Sequence, residues 1–138
     1  MNMCPTGELP ATTPRPCILI VEDDGLLAML LEGVLDDLGY CSVLAACISD
    51  AAELIATTAL DGAILDLNLD GTEVYPVADE LRHLGIPFVF STGYGPEDLR
   101  PDYRSWPVLT KPYLPRDLGR ILTATVGARL GQPGLALA

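Results

Sequence analysis

The stretch AILDLNL, residues 63–69, sets one carboxylate, that of Asp66, into a short apolar run. Charged side chains are rarely buried completely unless they are paired. We therefore expect Asp66 at the point where a buried strand opens into a polar loop, and we place it at the centre of the candidate site.

Three other apolar runs have the same design, because each of them ends in polar groups. CILIV (17–21) precedes EDD (22–24), PFVF (87–90) precedes STG (91–93), and WPVL (106–109) precedes TKP (110–112). Short, continuous apolar runs are typical of buried strands. With a further candidate at residues 40–46, the chain is predicted to contain five strands.

Apolar residues recur at helical spacing between these strands. The predicted helices cover residues 26–38, 49–57 and 74–84, and a last one begins at Pro115. Asp24 and Ser49 are the candidate N-caps, and the leucines of the first helix are expected in the core. Any helix within residues 93–105 should be short and mobile, because that segment holds two glycines and two prolines.

Strands that alternate with helices predict an α/β fold with a parallel sheet and helices on both of its faces. In such sheets ligands bind beyond the carboxyl ends of the strands. The polar groups that follow the four runs lie at those ends. Architecture and chemistry therefore indicate the same edge of the sheet.

Composition narrows the function classes. The 138 residues fit one domain, and 49% of them are hydrophobic. The net charge of −11 disfavours nucleic acid and anionic membrane surfaces as partners. No apolar run reaches the roughly 18 residues of a membrane span, and the N-terminus lacks the pattern of a secretory signal. A cytoplasmic protein is expected.

The expected organisation is a flexible leader (1–16), one domain (17–126) and a short tail (127–138). The four cysteines show no CxxC spacing, and the only histidine, His83, has no ligand-like neighbour in sequence. A zinc site is therefore not expected. Cys17, Cys41 and Cys47 lie in apolar runs and are expected to be buried, reduced thiols.

Three acidic residues follow two of the predicted strands. Glu22, Asp23 and Asp66 would repel one another unless a cation lay among them. Carboxylate oxygens with room left for water suit Mg²⁺. The alternative interpretation is that residues 22–24 are a solvated turn at a helix N-terminus, where acidic side chains are favourable.

The groups after the last two strands favour the metal site. Lys111 is the only lysine in the chain, and its ammonium group could neutralise a phosphoryl oxygen. Thr92 offers a hydroxyl donor, and Gly93 lets the backbone approach closely. A carboxylate, a divalent cation, a hydroxyl and a lysine indicate phosphoryl transfer, with Asp66 as the nucleophile.

Four motifs in this order resemble those of the response-regulator receiver domains of two-component signalling, over residues 17–126. They are IVEDD (20–24), LDLNL (65–69), STG (91–93) and TKPY (110–113). The resemblance implies a CheY-like, flavodoxin-like doubly wound (βα)5 fold with strand order 2-1-3-4-5. It also implies a phosphoryl group accepted from a histidine kinase or a phosphotransfer protein, self-phosphorylation from small donors, and slow autodephosphorylation.

The resemblance assigns a role to each motif residue. Asp66 would be the phosphoacceptor, Thr92 would bond the phosphoryl group, and Lys111 would pair with it. The Lys111–Pro112 peptide is expected to be cis. The implied Mg²⁺ ligands are Asp23 and Asp66 directly, Glu22 through water, and the backbone carbonyl of Asn68.

The chain departs from the family pattern in two places. Many receivers have an aromatic residue two places before the lysine, where this chain has Leu109, so Tyr94 and Tyr113 are the candidates for its switching role. PFVFSTGYG (87–95) is similar to the motif of the FAT GUY receivers, which are stand-alone regulators with a loosened fourth helix. Ser91 replaces their usual alanine.

Several readings compete within and outside this family. The domain could signal through a protein partner, serve as a phosphate sink or relay, or be a degenerate receiver that only binds. NLDGT (68–72) echoes the DxDGT motif of haloacid-dehalogenase-type phosphatases, but Asn68 stands where they need aspartate. A monomer or weak dimer is expected, with an output face that suits an acidic or mixed partner and includes Arg100, Arg104, Arg116 and Arg120.

Overall fold

The central sheet has five parallel strands, and the computed structural model describes residues 15–93 and 95–127. The expected leader (1–16) and tail (127–138) lie almost wholly outside the described residues. Together with a small hairpin, the strands are β1 Cys17–Val21, β2 Cys41–Ala45, β3 Gly62–Asp66, β4 Asn68–Leu69, β5 Thr72–Glu73, β6 Phe88–Thr92 and β7 Val108–Thr110.

The strand order of the main sheet is β2-β1-β3-β6-β7, and every neighbouring pair is parallel. Without the hairpin strands this is the predicted order 2-1-3-4-5, so the predicted flavodoxin-like fold is confirmed. The middle strand, β3, is buried along its whole length. A strand covered on both faces is apolar throughout, which explains the continuous run that ends in Asp66.

Four α-helices cover the two faces of the sheet. They are α1 Gly25–Asp37, α2 Ile48–Thr57, α3 Tyr75–Leu84 and α4 Pro115–Leu122, the last continued by a π-helical turn, Thr123–Gly127. The buried residues of α1 and α4 pack on one face, and those of α2 and α3 pack on the other. None of the helices within residues 15–93 and 95–127 is both long and apolar enough to cross a membrane.

The antiparallel hairpin of β4 and β5 follows β3 directly and was not predicted. Its turn places Asp70 at φ 49° and Gly71 at φ 87°, the left-handed region that glycine and aspartate tolerate best. The Asn68 side-chain oxygen accepts a hydrogen bond of 2.8 Å from the Gly71 amide. Strands of two residues are too short to leave a periodic pattern in the sequence.

The predicted N-cap of α1 is confirmed, but the predicted N-cap of α2 is not. The Asp24 carboxylate accepts bonds from the amides of Leu26 (3.0 Å) and Leu27 (3.2 Å), as an N-cap does. The prediction of Ser49 as the second N-cap is wrong. Cys47 holds that position with an extended backbone, and its carbonyl accepts from the Ala51 amide, so Ser49 lies inside the helix.

The expectation that the leucines of α1 are core residues is correct for only part of the helix. Leu31 and Leu35 are buried, but Leu26 is 69% exposed and Leu30 is 60% exposed. The apolar residues of α1 extend around more of its circumference than the sheet can cover. An exposed apolar stripe, formed by Leu26, Met29 and Leu30, therefore remains near the N-terminus of α1.

The connection between β6 and β7 forms two short 3-10 turns, Pro96–Asp98 and Pro101–Tyr103, where a longer helix could have formed. The prediction of only short helical structure in this segment is confirmed. Tyr103 is completely buried among the rings of Tyr75, Phe88, Phe90 and Trp106. Its hydroxyl donates a 2.7 Å hydrogen bond to Asp79 on α3, so the Tyr103 side chain helps to anchor the connection.

The cysteines are less buried than the sequence suggested. Cys17 is half-buried, but Cys41 and Cys47 are exposed, and all three are free thiols. The expectation of burial is wrong for Cys41 and Cys47, because each stands at the end of an element. Cys4 lies outside the described residues.

Gly62, the first residue of β3, allows a close contact with Val126 in the π-helical turn that follows α4. A Cβ atom at this position would lie 2.5 Å from Cγ2 of Val126 and 3.2 Å from Cδ1 of Ile18. We expect Gly62→Ala to lower the free energy of unfolding by about 1–3 kcal/mol, as overpacking of a core does. Urea unfolding followed by circular dichroism measures the loss.

Gly33→Ala is the matched control for that substitution. Gly33 lies inside α1, and a Cβ there would have no atom within 4 Å. Because alanine is the better helix former, this variant should gain about 0.5–1 kcal/mol. Equal effects of the two substitutions would contradict the close packing assigned to Gly62.

Candidate active site

The site begins where β1 and β3 end side by side. Val21 and Leu65 are paired in the parallel register, and Glu22 and Asp66 follow them. Glu22 extends the ladder, because its amide donates a 3.0 Å bond to the Ala45 carbonyl of β2. The sheet itself therefore brings the two carboxyl groups to one edge.

Three carboxylates converge at this edge. Glu22, Asp23 and Asp66 each offer an oxygen within 4.8 Å of the others'. Glu22 is 3% exposed and Asp66 is 7% exposed, whereas Asp23 faces solvent. Hard oxygen donors, two buried and one open to water, fit Mg²⁺, which binds through a few carboxylates and retains several waters. The observed clustering favours the metal site over the interpretation of residues 22–24 as only a solvated turn.

Burial and the neighbouring carboxylate change the pKa of Glu22. Burial, and then the neighbouring Asp66 carboxylate, raise the pKa of Glu22 to about 7. The Asp24 amide, which donates a 3.2 Å bond to Glu22 Oε2, and the Lys111 ammonium oppose this rise. Glu22 is therefore protonated to a substantial extent near neutral pH, where an ordinary glutamate is almost fully ionised.

Lys111 supplies the positive charge of the site. Its Nζ lies 3.3 Å from Glu22 Oε1 and 3.4 Å from Asp66 Oδ1. The Lys111 amide donates a 2.7 Å bond to the Thr92 carbonyl, which fixes the residue beside the end of β6. The Lys111–Pro112 peptide is cis, as expected from the family.

Thr92 and Asn68 complete the set of residues chosen from the sequence. Thr92 is buried at the end of β6 and pairs with Thr110 in the register with β7. The Asn68 amide donates a long bond of 3.4 Å to Asp66 Oδ1. In the structure the Lys111 ammonium thus contacts both Glu22 and Asp66. Asn68, at the start of β4, and Thr92, at the end of β6, lie around these three side chains.

Ser91 was underrated by the sequence analysis, whereas Tyr113 was already named as a switch candidate. Ser91 was noted only as a replacement for alanine, yet it is buried and stands opposite Asp66 in the β3–β6 register. Tyr113 packs against the core of the α1 and α4 face. The alternation of side chains along β6 could have indicated Ser91. Tyr94, the other switch candidate, lies outside the described residues, and Leu109 is buried.

The predicted output face carries less unpaired positive charge than its four arginines suggest. Arg100 is bound to Asp79 at 2.7 Å and to Asp102 at 2.8 Å, so its charge is already paired. Arg104 donates from Nε to the Leu99 carbonyl at 3.2 Å. Arg116 and Arg120 are exposed on α4, and with the exposed Arg104 they carry the remaining positive charge of the face.

The pKa of Glu22 predicts a pH dependence for the metal-free protein. Because the folded-state pKa (about 7) exceeds the ordinary value of 4.5, Glu22 contributes stability below pH 4.5 that is lost as the pH rises through 7. Between pH 6 and 8 the loss should be about 1 kcal/mol. Glu22→Gln should remove this part of the pH dependence, as measured by urea unfolding in chelator.

Excess Mg²⁺ provides the companion measurement. A cation among the carboxylates favours the ionised form of Glu22, so metal binding at pH 6.5 should release a proton, and affinity should rise between pH 6 and 8. Calorimetric titration in buffers of different ionisation enthalpy counts the proton. An identical pH slope in the wild type and in Glu22→Gln would contradict this assignment.

Comparison with known proteins identifies the family. No protein-family model matches the chain, and a search of curated proteins finds no match. Among solved structures, SdrG from Sphingomonas melonis Fr1 is 36% identical, with a TM-score of 0.72, over 82% of this chain and 98% of SdrG. A CheY-like response-regulator receiver domain from Methylobacillus flagellatus is 28% identical, with a TM-score of 0.71, over 80% and 98% of the two chains.

A third structure has the same fold at lower identity. The receiver domain of a sensor histidine kinase from Pseudomonas aeruginosa PAO1 is 24% identical, with a TM-score of 0.71, over 82% of this chain and 98% of that one. That structure has a magnesium ion coordinated in its active-site cleft. From its fold, its strand-end residues and these similarities, we conclude that the chain belongs to the CheY-like receiver domains of response regulators.

Proposed function

We propose that this receiver domain accepts a phosphoryl group on Asp66 from a histidine kinase or a phosphotransfer protein. The observation that carries the proposal is the position of Asp66. It ends the central strand, lies in a three-carboxylate cluster, and has the Lys111 ammonium 3.4 Å from its Oδ1. No other carboxylate of the described residues combines these three features.

The residues around Asp66 suit phosphoryl transfer without a proton-transfer catalyst. An oxygen of the Asp66 carboxylate attacks the phosphorus atom, an O–P bond forms, and the P–N bond to the donor histidine breaks. The donor imidazole keeps the electron pair of that bond and takes up a proton. Lys111 then pairs with a phosphoryl oxygen, and the Thr92 hydroxyl donates to another, so that positioning and charge neutralisation supply the catalysis.

The proposed metal ligands are Asp23 and Asp66 directly, Glu22 through water, and the backbone carbonyl of Asn68. Bound Mg²⁺ would offset the negative charge that the phosphoryl oxygens bring to this acidic edge. Support comes from the converging carboxylates and from the raised pKa of Glu22, since both reflect a concentration of negative charge that a divalent cation would offset.

The proposed docking surface for the phosphodonor is the exposed apolar stripe of α1. Leu26, Met29 and Leu30 are 60–69% exposed and lie on the first turns after Asp24, beside the acidic cluster. Leu114, 51% exposed, lies just before α4 on the loop that follows Lys111. Exposed apolar side chains grouped at the rim of an active site are typical of protein-binding surfaces.

The output of the domain is proposed to be a protein contact or the passage of phosphate. A partner that reads phosphorylation would meet the face of α4, β7 and the β6–β7 connection. Its basic groups are chiefly Arg116 and Arg120, since Arg100 is paired. A phosphate sink or relay would need only the phosphodonor surface.

Asp66→Asn tests the proposed chemistry. The wild-type protein, mixed with Mg²⁺ and acetyl phosphate, should gain the mass of one phosphoryl group, and the variant should gain none, because its amide is not a nucleophile. Intact-mass spectrometry measures both. Asp70→Asn is the matched control, since Asp70 is an exposed hairpin residue, and it should be phosphorylated as the wild type is.

Other outcomes would support the alternatives. No adduct on the wild type, with acetyl phosphate or with a competent kinase, would indicate a degenerate receiver that only binds. Turnover of unrelated phosphate esters that is lost in Asp70→Asn would indicate phosphatase chemistry. The structure gives that reading little support, because residues 68–72 form a side hairpin and not the end of a core strand.

Leu30→Ser tests the phosphodonor surface. Because Leu30 is largely exposed, the variant should fold normally and accept phosphate from acetyl phosphate at the wild-type rate. Transfer from a histidine kinase that phosphorylates the wild type should fall roughly tenfold, the effect of losing an apolar contact at an interface. Rates are read from radiolabelled phosphate.

Leu84→Ser is the control for that measurement, because Leu84 is 51% exposed at the far end of α3. It should leave both rates unchanged. Equal transfer from the kinase to wild type and Leu30→Ser would place the donor elsewhere.

A further inference from the structure

Two hydroxyl groups beside the active site are buried without a hydrogen-bond partner. They are Ser91 Oγ and Tyr113 Oη, and among the residues within 15–93 and 95–127 they are the only buried side-chain oxygens or nitrogens in this state. Burying an unsatisfied hydroxyl is unfavourable. Alanine and phenylalanine would fill the same places without this cost.

Ser91 stands next to the phosphoacceptor. In the parallel register Ser91 pairs with Asp66 on one side and with Leu109 on the other. Residues directly opposite in adjacent strands project from the same face of the sheet, so the side chains of Asp66, Ser91 and Leu109 form a row. This row is on the face covered by α1 and α4, where Leu109 is buried.

Tyr113 reaches the same place from the loop after β7. Its ring packs on the core of that face and lines the groove between α1 and α4. Burial, and then the Glu22 and Asp66 carboxylates, raise the pKa of Tyr113 to about 12. The Ser91 hydroxyl opposes this rise, because it approaches the phenol oxygen closely enough to interact with it, although without the geometry of a hydrogen bond. The phenol is therefore close to all three groups, and it remains a hydrogen-bond donor at physiological pH.

The loop that carries Tyr113 also carries Lys111, with only Pro112 between them. The ring of Pro112 fixes its own φ, so a shift of Lys111 is passed on to Tyr113. In the resting protein the Lys111 ammonium is shared between Glu22 and Asp66, at 3.3 and 3.4 Å. A phosphoryl group on Asp66 would place stronger negative charge farther from the sheet, and the ammonium would follow it.

We propose that Ser91 and Tyr113 are positioning residues, whose hydroxyls bond to each other when Lys111 moves onto the phosphoryl group, and so hold the Lys111 loop in its active position. The proposal rests on the proposed phosphorylation of Asp66. In this proposal the two hydroxyls form their hydrogen bond only in the phosphorylated state. It also connects the phosphoacceptor to the groove between α1 and α4, because Tyr113 lines that groove.

The test compares Ser91→Ala, Tyr113→Phe and the double variant in two states. For the active state the probe is beryllofluoride with excess Mg²⁺, a stable mimic of the phosphoryl group, with the bound fluoride signal followed by ¹⁹F NMR. Each single variant should bind the probe roughly 3- to 10-fold more weakly, the effect of one hydrogen bond. The double variant should bind no more weakly than either single variant.

The resting state separates positioning from a structural role. In urea unfolding without the probe, both single variants should be as stable as the wild type or slightly more stable, because each removes an unsatisfied hydroxyl. Tyr103→Phe is the matched control, since it removes a buried phenol that donates to Asp79. It should lower resting stability and leave the affinity for the probe unchanged.

Two results would overturn the pair. One is wild-type affinity for the probe in either single variant, and the other is a double variant whose loss equals the product of the single losses. Failure of the proposed function is a separate observation. In that case the wild type itself forms no Mg²⁺-dependent adduct with acetyl phosphate and binds no beryllofluoride.

Discussion

The resting site depends on two buried carboxyl groups and the single ammonium group that lies between them. Glu22 and Asp66 cannot move apart, because the parallel pairing of β1 and β3 fixes their backbones. Lys111 contacts both at distances near the long end for ion pairs. One cation facing two carboxylates is a poor electrostatic balance in a place with little water. The raised pKa of Glu22 follows from this imbalance, as does the fit of the edge to a divalent cation.

The sheet also determines where the consequences of a charge change are felt. The row formed by Asp66, Ser91 and Leu109 runs across three strands on the face of α1 and α4. Tyr113 continues this row into the groove between those helices. The same helix, α1, carries exposed leucines at the rim of the site. Asp66, the packing core and the exposed apolar stripe are therefore contiguous on this side of the molecule.

Much of this arrangement is legible in the sequence, for physical reasons. Asp66, Glu22 and Lys111 lie at the ends of short, continuous apolar runs, and the ends of parallel strands must meet at one edge. The N-cap at Asp24 is predictable because capping is a local interaction. Ser49 failed as a cap because Cys47 ends the extended segment two residues earlier. The exposure of Leu26 and Leu30 depends on how much of α1 the sheet covers. That is a tertiary property, and apolar spacing does not contain it.

Ser91 and Tyr113 show a different limit of sequence reasoning. Ser91 is an ordinary small residue on a buried strand, and Tyr113 became a switch candidate only through the family pattern, because Leu109 replaces the usual aromatic residue. Their significance lies in meeting without bonding, on segments 22 residues apart in the sequence. The similarity of residues 68–72 to the haloacid-dehalogenase motif misleads for the opposite reason. The local letters agree with that motif, but the register places Asp66, and not Asn68, at the end of the central strand.

The connection between β6 and β7 is held by side chains, whereas a helix is held mainly by its own backbone. Tyr103 occupies the aromatic core, Arg100 joins the segment to Asp79 on α3, and an ion pair between Arg100 and Asp102 lies within the segment. Its conformation therefore depends on a few specific residues and on very little repetitive hydrogen bonding. Replacing one of them could reshape this surface while the sheet and the acidic edge stay as they are. The sheet and its acidic edge therefore do not depend on the β6–β7 connection, and a few substitutions would be enough to change the surface that this connection forms.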